Sequence, residues 1–482
     1  MSWPSVALAW VVILACVGLK FSLGEADAPV TEPEVAAEIV QAEAAHAPET
    51  PWAGFKTIMT ARMVLLMEKV DAMNPQAQGM GVKAQLEPLM KSEWPFDRIV
   101  AAALLARTGN YDKAREVAAD AISRAEAMAA NDHRESVVAL AQSVGRVVDA
   151  ITPESAGSVD VAFADREVIK ERLGWIGDLL LSRATTDPVI EAEVSAIPMT
   201  LGLAIGAFLL FAGVAGIVGC VWLGVLVVRA NRRRLELSCQ GASRGGASII
   251  WIFSGWFAIT LGMAWVADEV LDVERSLSGS MGLMLQIAAM ALPMIALGIP
   301  TLSGVSWSQT RRDIGLHRGA GLWREACHGL LVYATAIPLL VIGVTIAIIM
   351  SAVAGGGIEE ASHPIQEAMA NGDAAQRAIL YVIAAILAPL IEEILFRGAL
   401  YRHLRELTQA WGAPASIAVG ALASSLIFAA IHPQGVFFIP ILGSLAVAFC
   451  LGRETRGSLI APMVAHGLNN AIILTVGIFV AG

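Results

Sequence analysis

Nine apolar runs, at roughly residues 6–23, 197–228, 248–267, 281–305, 326–354, 378–397, 414–432, 436–452 and 459–480, constrain this chain more than any other feature. Most approach the length of about 20 residues that a helix needs to cross a hydrocarbon core. Lipid supplies no partner for backbone N–H and C=O groups, so a spanning segment must satisfy them itself, as a helix does. The expected fold is all-α, a polytopic membrane helical bundle. A composition that is 56% hydrophobic over 482 residues agrees.

Between the first and second runs lies a polar region that sorts into two parts. Residues 24–51 hold acids, Ala and Pro without Lys or Arg, the composition of a solvated linker. Residues 52–195 turn amphipathic. "VAAALLARTGNYDKAREVAADAISRAEAMA" places apolar residues three and four apart on both sides of Gly109-Asn110, the pattern of a helical hairpin. Ala103, Ala106, Tyr111, Ala114 and Ala118 resemble the packing positions of one tetratricopeptide-type repeat, although a plain bundle uses alanines in the same way.

Segment 1–23 lacks the basic start of a signal peptide and reads as a membrane anchor rather than a cleaved signal; its "ILAC" is only a weak lipidation signal at Cys16. Residues 196–247 read as a membrane helix followed by a basic loop, and 248–482 as the multi-pass domain. Arg229, Arg232, Arg233 and Arg234 put the end of the second span on the cytoplasmic side. The helical domain at 52–195 is then extracytoplasmic. Downstream connections alternate in sign as a weave requires: acidic at 268–279 and 355–373, basic at 306–325, 397–409 and 452–457.

The formal net charge of -10 and the absence of basic clusters from the soluble part exclude a nucleic-acid partner. Five scattered cysteines without CxxC spacing exclude a disulfide framework and a cysteine-based zinc site.

Inside the weave, charged and polar residues gather in the last four runs. A charged group at mid-bilayer costs about 2.5–3.5 kcal/mol on insertion scales, so such residues face protein or a wet cavity and mark function. Glu393 and Arg397 are one helical turn apart and can pair, while Glu392 points to a neighbouring face. Phe428 and His432 share a turn just before Pro433, and His466 shares a face with Asn470. Taken singly, these have ordinary readings: an interfacial ion pair, a histidine bonded to a helix-end carbonyl, polar glue between helices. Taken together they supply the carboxylate, imidazoles and amide of a hydrolase. A straight-helix count puts Glu392 and His466 roughly 10 Å from the inner membrane edge but His432 roughly 15 Å too high, unless 399–412 forms an interfacial helix or the next span is tilted.

"EEILFRG", "FAAIH" and "HGLNN" resemble the EExxxR, FxxxH and HxxxN motifs of the CPBP family of membrane proteases, relatives of type II CAAX prenyl endopeptidases and bacteriocin self-immunity proteins. The stretch "DIGLHRGAGLWREACHGL" resembles the family's loop before its core spans. The similarity covers about 310–480 and does not reach residues 1–245. It implies a membrane-embedded endopeptidase in a bacterial plasma membrane, acting on a membrane protein or peptide; the helical domain at 52–195, outside the resemblance, reads as a module that holds or recognises a protein partner. It also implies roles: Glu392, helped by His432, activates water; His466 and Asn470 donate to the oxyanion; Arg397 holds Glu393, which orients Glu392. No cofactor is needed on this reading. The alternative is a zinc ion on Glu392, His432 and His466, although the chain has no HExxH. A catalytically inactive scaffold or immunity-type binding protein of the same fold is the competing functional class. A transporter finds less support, since no inverted repeat is evident.

Overall fold

The computed structural model describes residues 6–13, 55–73, 80–128, 132–185, 188–232, 234–235, 237–239, 248–269, 287–354, 374–432 and 434–481. The expectations for Cys16, the linker at 24–51, Arg233, and the acidic connections at 270–279 and 355–373 lie outside the described residues. Among the described residues the chain is helical, with one isolated β-bridge between Ser158 and Thr185. It divides into two compact units. One comprises Met1–Ala28 and Leu210–Val476, the other Pro29–Leu209 with Gly477–Gly482.

The second unit is a helical domain whose core is built largely from alanine, valine and leucine. Helices Pro95–Arg107 and Tyr111–Ala127 form the hairpin read from the sequence, and Gly109 makes the turn at φ 83°, a conformation a side chain would oppose. Ala103, Ala106, Tyr111, Ala114 and Ala118 are all buried. The Tyr111 hydroxyl accepts hydrogen bonds from Arg183 Nε and Nη2 at 3.0 and 2.7 Å, tying the hairpin to helix Trp175–Ala184.

The first unit is a bundle of apolar helices. Among the described residues, five helices are long and apolar enough to cross a membrane: Gly202–Asn231, Leu322–Ala354 (α1), Ala375–Leu407 (α2), Ala413–Ala430 (α3) and Val436–Arg456. The regular helical part of the last is Ile439–Arg456 (α4). The run expected at 281–305 is a broken element, in which Ile287–Leu302 and Trp307–Asp313 meet at 111°. Two expected runs form shorter apolar helices, Ile250–Val266 and Ile460–Val476; the second belongs to Ile460–Ala481 (α5). Residues 6–13 are helical too, and Ala9 and Ile13 are fully buried beside Ile250, Phe253 and Phe396.

One boundary differs from the sequence reading. Residues 397–407, expected as a basic connection, continue α2 without a break, and Arg402, His403 and Arg405 are buried. Their charges are absorbed by partners rather than by water. Arg405 Nε and Nη2 each lie 3.1 Å from a Glu454 carboxylate oxygen, to which Tyr401 also donates at 2.8 Å. Arg402 pairs with Glu406 at 3.1 Å. The nearby loop that resembles the family's is fastened as well. Leu459 N–H donates to Gly315 O at 2.9 Å, Ser458 Oγ to His317 O at 2.7 Å, and Arg456 makes a two-pronged pair with the fully buried Glu325 at 2.7 and 3.0 Å.

Small residues set how closely these helices approach. A Cβ on Gly343 of α1 would collide with the Pro440 carbonyl of α4, and one on Gly467 of α5 would stand 2.5 Å from the Ala385 carbonyl oxygen of α2. Backbone thus meets backbone at both crossings, a form of packing that membrane helices favour because lipid gives no hydrophobic drive between them.

Candidate active site

α2 is not a uniform α-helix. Residues Ile383–Leu387 and Glu393–Leu400 are π-helical, with α-helix at Ala388–Glu392 between them. A π turn inserts one extra residue, swings the following side chains round the axis, and is found frequently at functional sites. Glu392 and Glu393 sit at the second of these transitions.

Glu393 is completely buried, and its Oε1 takes two hydrogen bonds, from Arg397 Nη1 at 2.9 Å and from His466 Nδ1 at 2.9 Å. Its Oε2 makes none. The Arg397 guanidinium is caged by aromatic faces, 4.6 Å from the Phe428 centroid and 5.1 Å from that of Phe449. Phe449 in turn stacks on the His466 ring at 5.1 Å and 21°, so it packs against both the guanidinium and the imidazole. These contacts explain how a charge can lie in the middle of an apolar helix: it is paired, hydrogen-bonded and placed over electron-rich rings.

His466 faces Glu392 with its other nitrogen, and Nε2 lies 3.7 Å from Glu392 Oε2. The Glu392 side chain is 23% exposed whereas that of Glu393 is 0%. Of the adjacent acids, Glu393 is therefore the structural anchor and Glu392 is the one that open space can reach. An Nδ1 proton bonded to Glu393 leaves the lone pair of a neutral His466 on Nε2, toward Glu392.

His432 follows the end of α3. Its ring centroid is 4.4 Å from that of Phe428, which is 6.0 Å from that of His466. Phe428 thus packs against both imidazole rings. His432 Nδ1 lies 2.6 Å from the Phe428 carbonyl. A carbonyl only accepts, so Nδ1 carries the proton.

Asn470 donates through Nδ2 to the Ala384 carbonyl at 2.9 Å, and its Oδ1 accepts from Asn469 Nδ2 at 3.2 Å. All six residues read from the sequence therefore lie in one connected region. Two local arrangements differ from the expectation: Glu393 engages His466 in addition to Arg397, and Asn470 is bonded to backbone. Phe449 and the Ala384 carbonyl escaped the sequence reading. A phenylalanine in an apolar run carries no local signal of its neighbours, whereas Pro389 in "LAPLIEE" does mark a gap in the helical ladder.

Among the described residues no three His, Cys, Asp or Glu side chains gather as a metal-binding group. The alternative zinc set of Glu392, His432 and His466 is not among such groups.

No curated protein and no solved structure matches the chain. A family model described as Type II CAAX prenyl endopeptidase Rce1-like matches residues 374–472, about a fifth of the chain. That stretch contains Glu392, Glu393, Arg397, His432, His466 and Asn470, and its helices belong to a multi-pass membrane protein. Over residues 374–472 the chain is thus similar to the Type II CAAX prenyl endopeptidase Rce1-like family.

Proposed function

We propose that this protein is a membrane-embedded endopeptidase that hydrolyses a peptide bond with water activated by Glu392. The observation that carries the reading is the line Glu393–His466–Glu392, in which a buried acid fixes one imidazole nitrogen and aims the other at the more exposed acid. Glu392 takes a proton from water as the water oxygen attacks the scissile carbonyl carbon. His432, oriented by the bond between its Nδ1 and the Phe428 carbonyl, helps hold that water.

The proton taken from water is shared between Glu392 Oε2 and His466 Nε2, and the ring so protonated donates to the oxyanion. Asn470 spends its amide donor on the Ala384 carbonyl, so the oxyanion donor in this scheme is His466. Collapse of the tetrahedral intermediate breaks the C–N bond, and the shared proton leaves with the amine. Arg397 neutralises Glu393 so that this acid stays an acceptor for His466. No step is routed through a metal, and metal analysis of the purified chain checks that part.

The substrate class is a membrane protein or membrane-inserted peptide, because the site residues lie within apolar helices. Residues 52–195, on the outer side by the charge bias of the connections, recruit or screen it. The location is a bacterial plasma membrane. The test compares membrane-protein fragments released by the reconstituted full chain and by Glu392→Gln. Loss of the fragments with the fold retained is expected, and equal fragment yields remove the proposed base.

A further inference from the structure

The Ala384 carbonyl has lost its place in the α2 hydrogen-bond ladder for a reason written in the sequence. In the π turn the Ala388 N–H donates to Ile383 O. That bond takes away the α-type donor of Ala384 O, four residues on. The π-type donor, five residues on, would be residue 389, which is proline and has no N–H. Ala384 is buried, at 7% exposure, so water is a poor substitute and an unpaired carbonyl there costs free energy. The missing donor comes from Asn470 on α5, 2.9 Å away. Gly467, one turn earlier on α5, lacks the Cβ that would meet Ala385 O, and so lets the helices come close enough for an amide side chain to reach the ladder.

We infer that Asn470 is a positioning residue: it closes the gap left by Pro389 and so fixes the rotation of α2 at Glu392, three residues further on. This rests on the peptidase reading for its functional consequence, but the clamp itself is a matter of two helices. It predicts a specific rescue. Replacing Pro389 with alanine returns an N–H that can reach Ala384 O in the π register, after which the Asn470 amide is no longer needed there. An oxyanion donor would not be replaced in this way, because a backbone N–H at 389 supplies the ladder and not the substrate.

The experiment is a double-mutant cycle on the full chain with Asn470→Ala and Pro389→Ala. It reads the thermal unfolding midpoint in detergent, and kcat and KM on an internally quenched peptide pool in proteoliposomes. Asn470→Ala is expected to lower the midpoint and to reduce kcat by about tenfold to a hundredfold, since small misplacements of catalytic groups cost that much, with KM little changed. The double variant is expected to regain at least half of the lost midpoint shift and about tenfold in kcat. If Asn470→Ala alone does not accumulate folded, its accumulation in the Pro389→Ala background is the same rescue. No recovery in the double variant, or no effect of Asn470→Ala on the midpoint, overturns the inference. If wild type and Glu392→Gln release the same products, the peptidase reading falls and the unfolding half of the cycle still decides the clamp.

Discussion

Replacing Arg397 with methionine isolates the physics of the site, because it keeps a side chain of similar length and removes only the charge and the donors. Glu393 would then be a fully buried carboxylate with no cation beside it, since both side chains are at most 1% exposed. Breaking one partner of a buried pair costs about 3–5 kcal/mol. Loss of the guanidinium over Phe428 and Phe449, at 4.6 and 5.1 Å, adds roughly 1 kcal/mol. The expected destabilisation is thus about 4–6 kcal/mol, a large part of the stability of an ordinary domain.

Adding Glu393→Gln removes the stranded charge while leaving an oxygen to accept from His466 Nδ1. The double variant should therefore be more stable than Arg397→Met alone, by about 2 kcal/mol or more. Equilibrium unfolding in mixed micelles, followed by loss of helical signal, measures both differences. A loss below about 1 kcal/mol for Arg397→Met, or a double variant no more stable than the single, would refute the view that this pair is dry and interdependent.

Gly467→Ala forces a methyl to within 2.5 Å of a backbone oxygen, and should destabilise the membrane unit by about 1–3 kcal/mol in the same unfolding assay. Gly224→Ala, with open space around the added carbon, is the neutral comparison. In the helical domain, the hydrogen bond from Arg146 holds the Asp165 carboxyl below its ordinary value of 3.8. A group with a lowered folded value stabilises above the unfolded value and loses that contribution as pH falls through the folded one. Amide-exchange protection of residues 132–150 in the full chain, corrected for intrinsic rates, should hold from neutral pH down to about 4 and decline below it. In Asp165→Asn that decline should be absent.

Much of the membrane domain was legible because lipid imposes strict rules on sequence. Run lengths and polar interruptions follow from the cost of leaving backbone or charge unpaired in hydrocarbon. The Glu393–Arg397 pair was legible for a simpler reason: both residues lie on one helix, one turn apart. The buried arginines after residue 400 were misread as a connection because a helix carrying Arg402 and Arg405 looks solvated until Glu406 and Glu454 are seen beside them. A straight-helix count could not place His432 because it assumes where each span begins, and residues 397–407 continue α2 rather than ending it.

The chain by itself determined that several apolar helices cross a membrane and that acids, imidazoles and an amide recur among the last of them. Tertiary structure alone decided that Glu393 rather than Glu392 is the buried anchor, that Phe449 packs against both Arg397 and His466, and that Asn470 bonds a backbone carbonyl 86 residues away. Helical periodicity specifies neighbours only within one helix. Which faces of different helices meet, and where a π turn inserts its extra residue, depends on packing that no local pattern records.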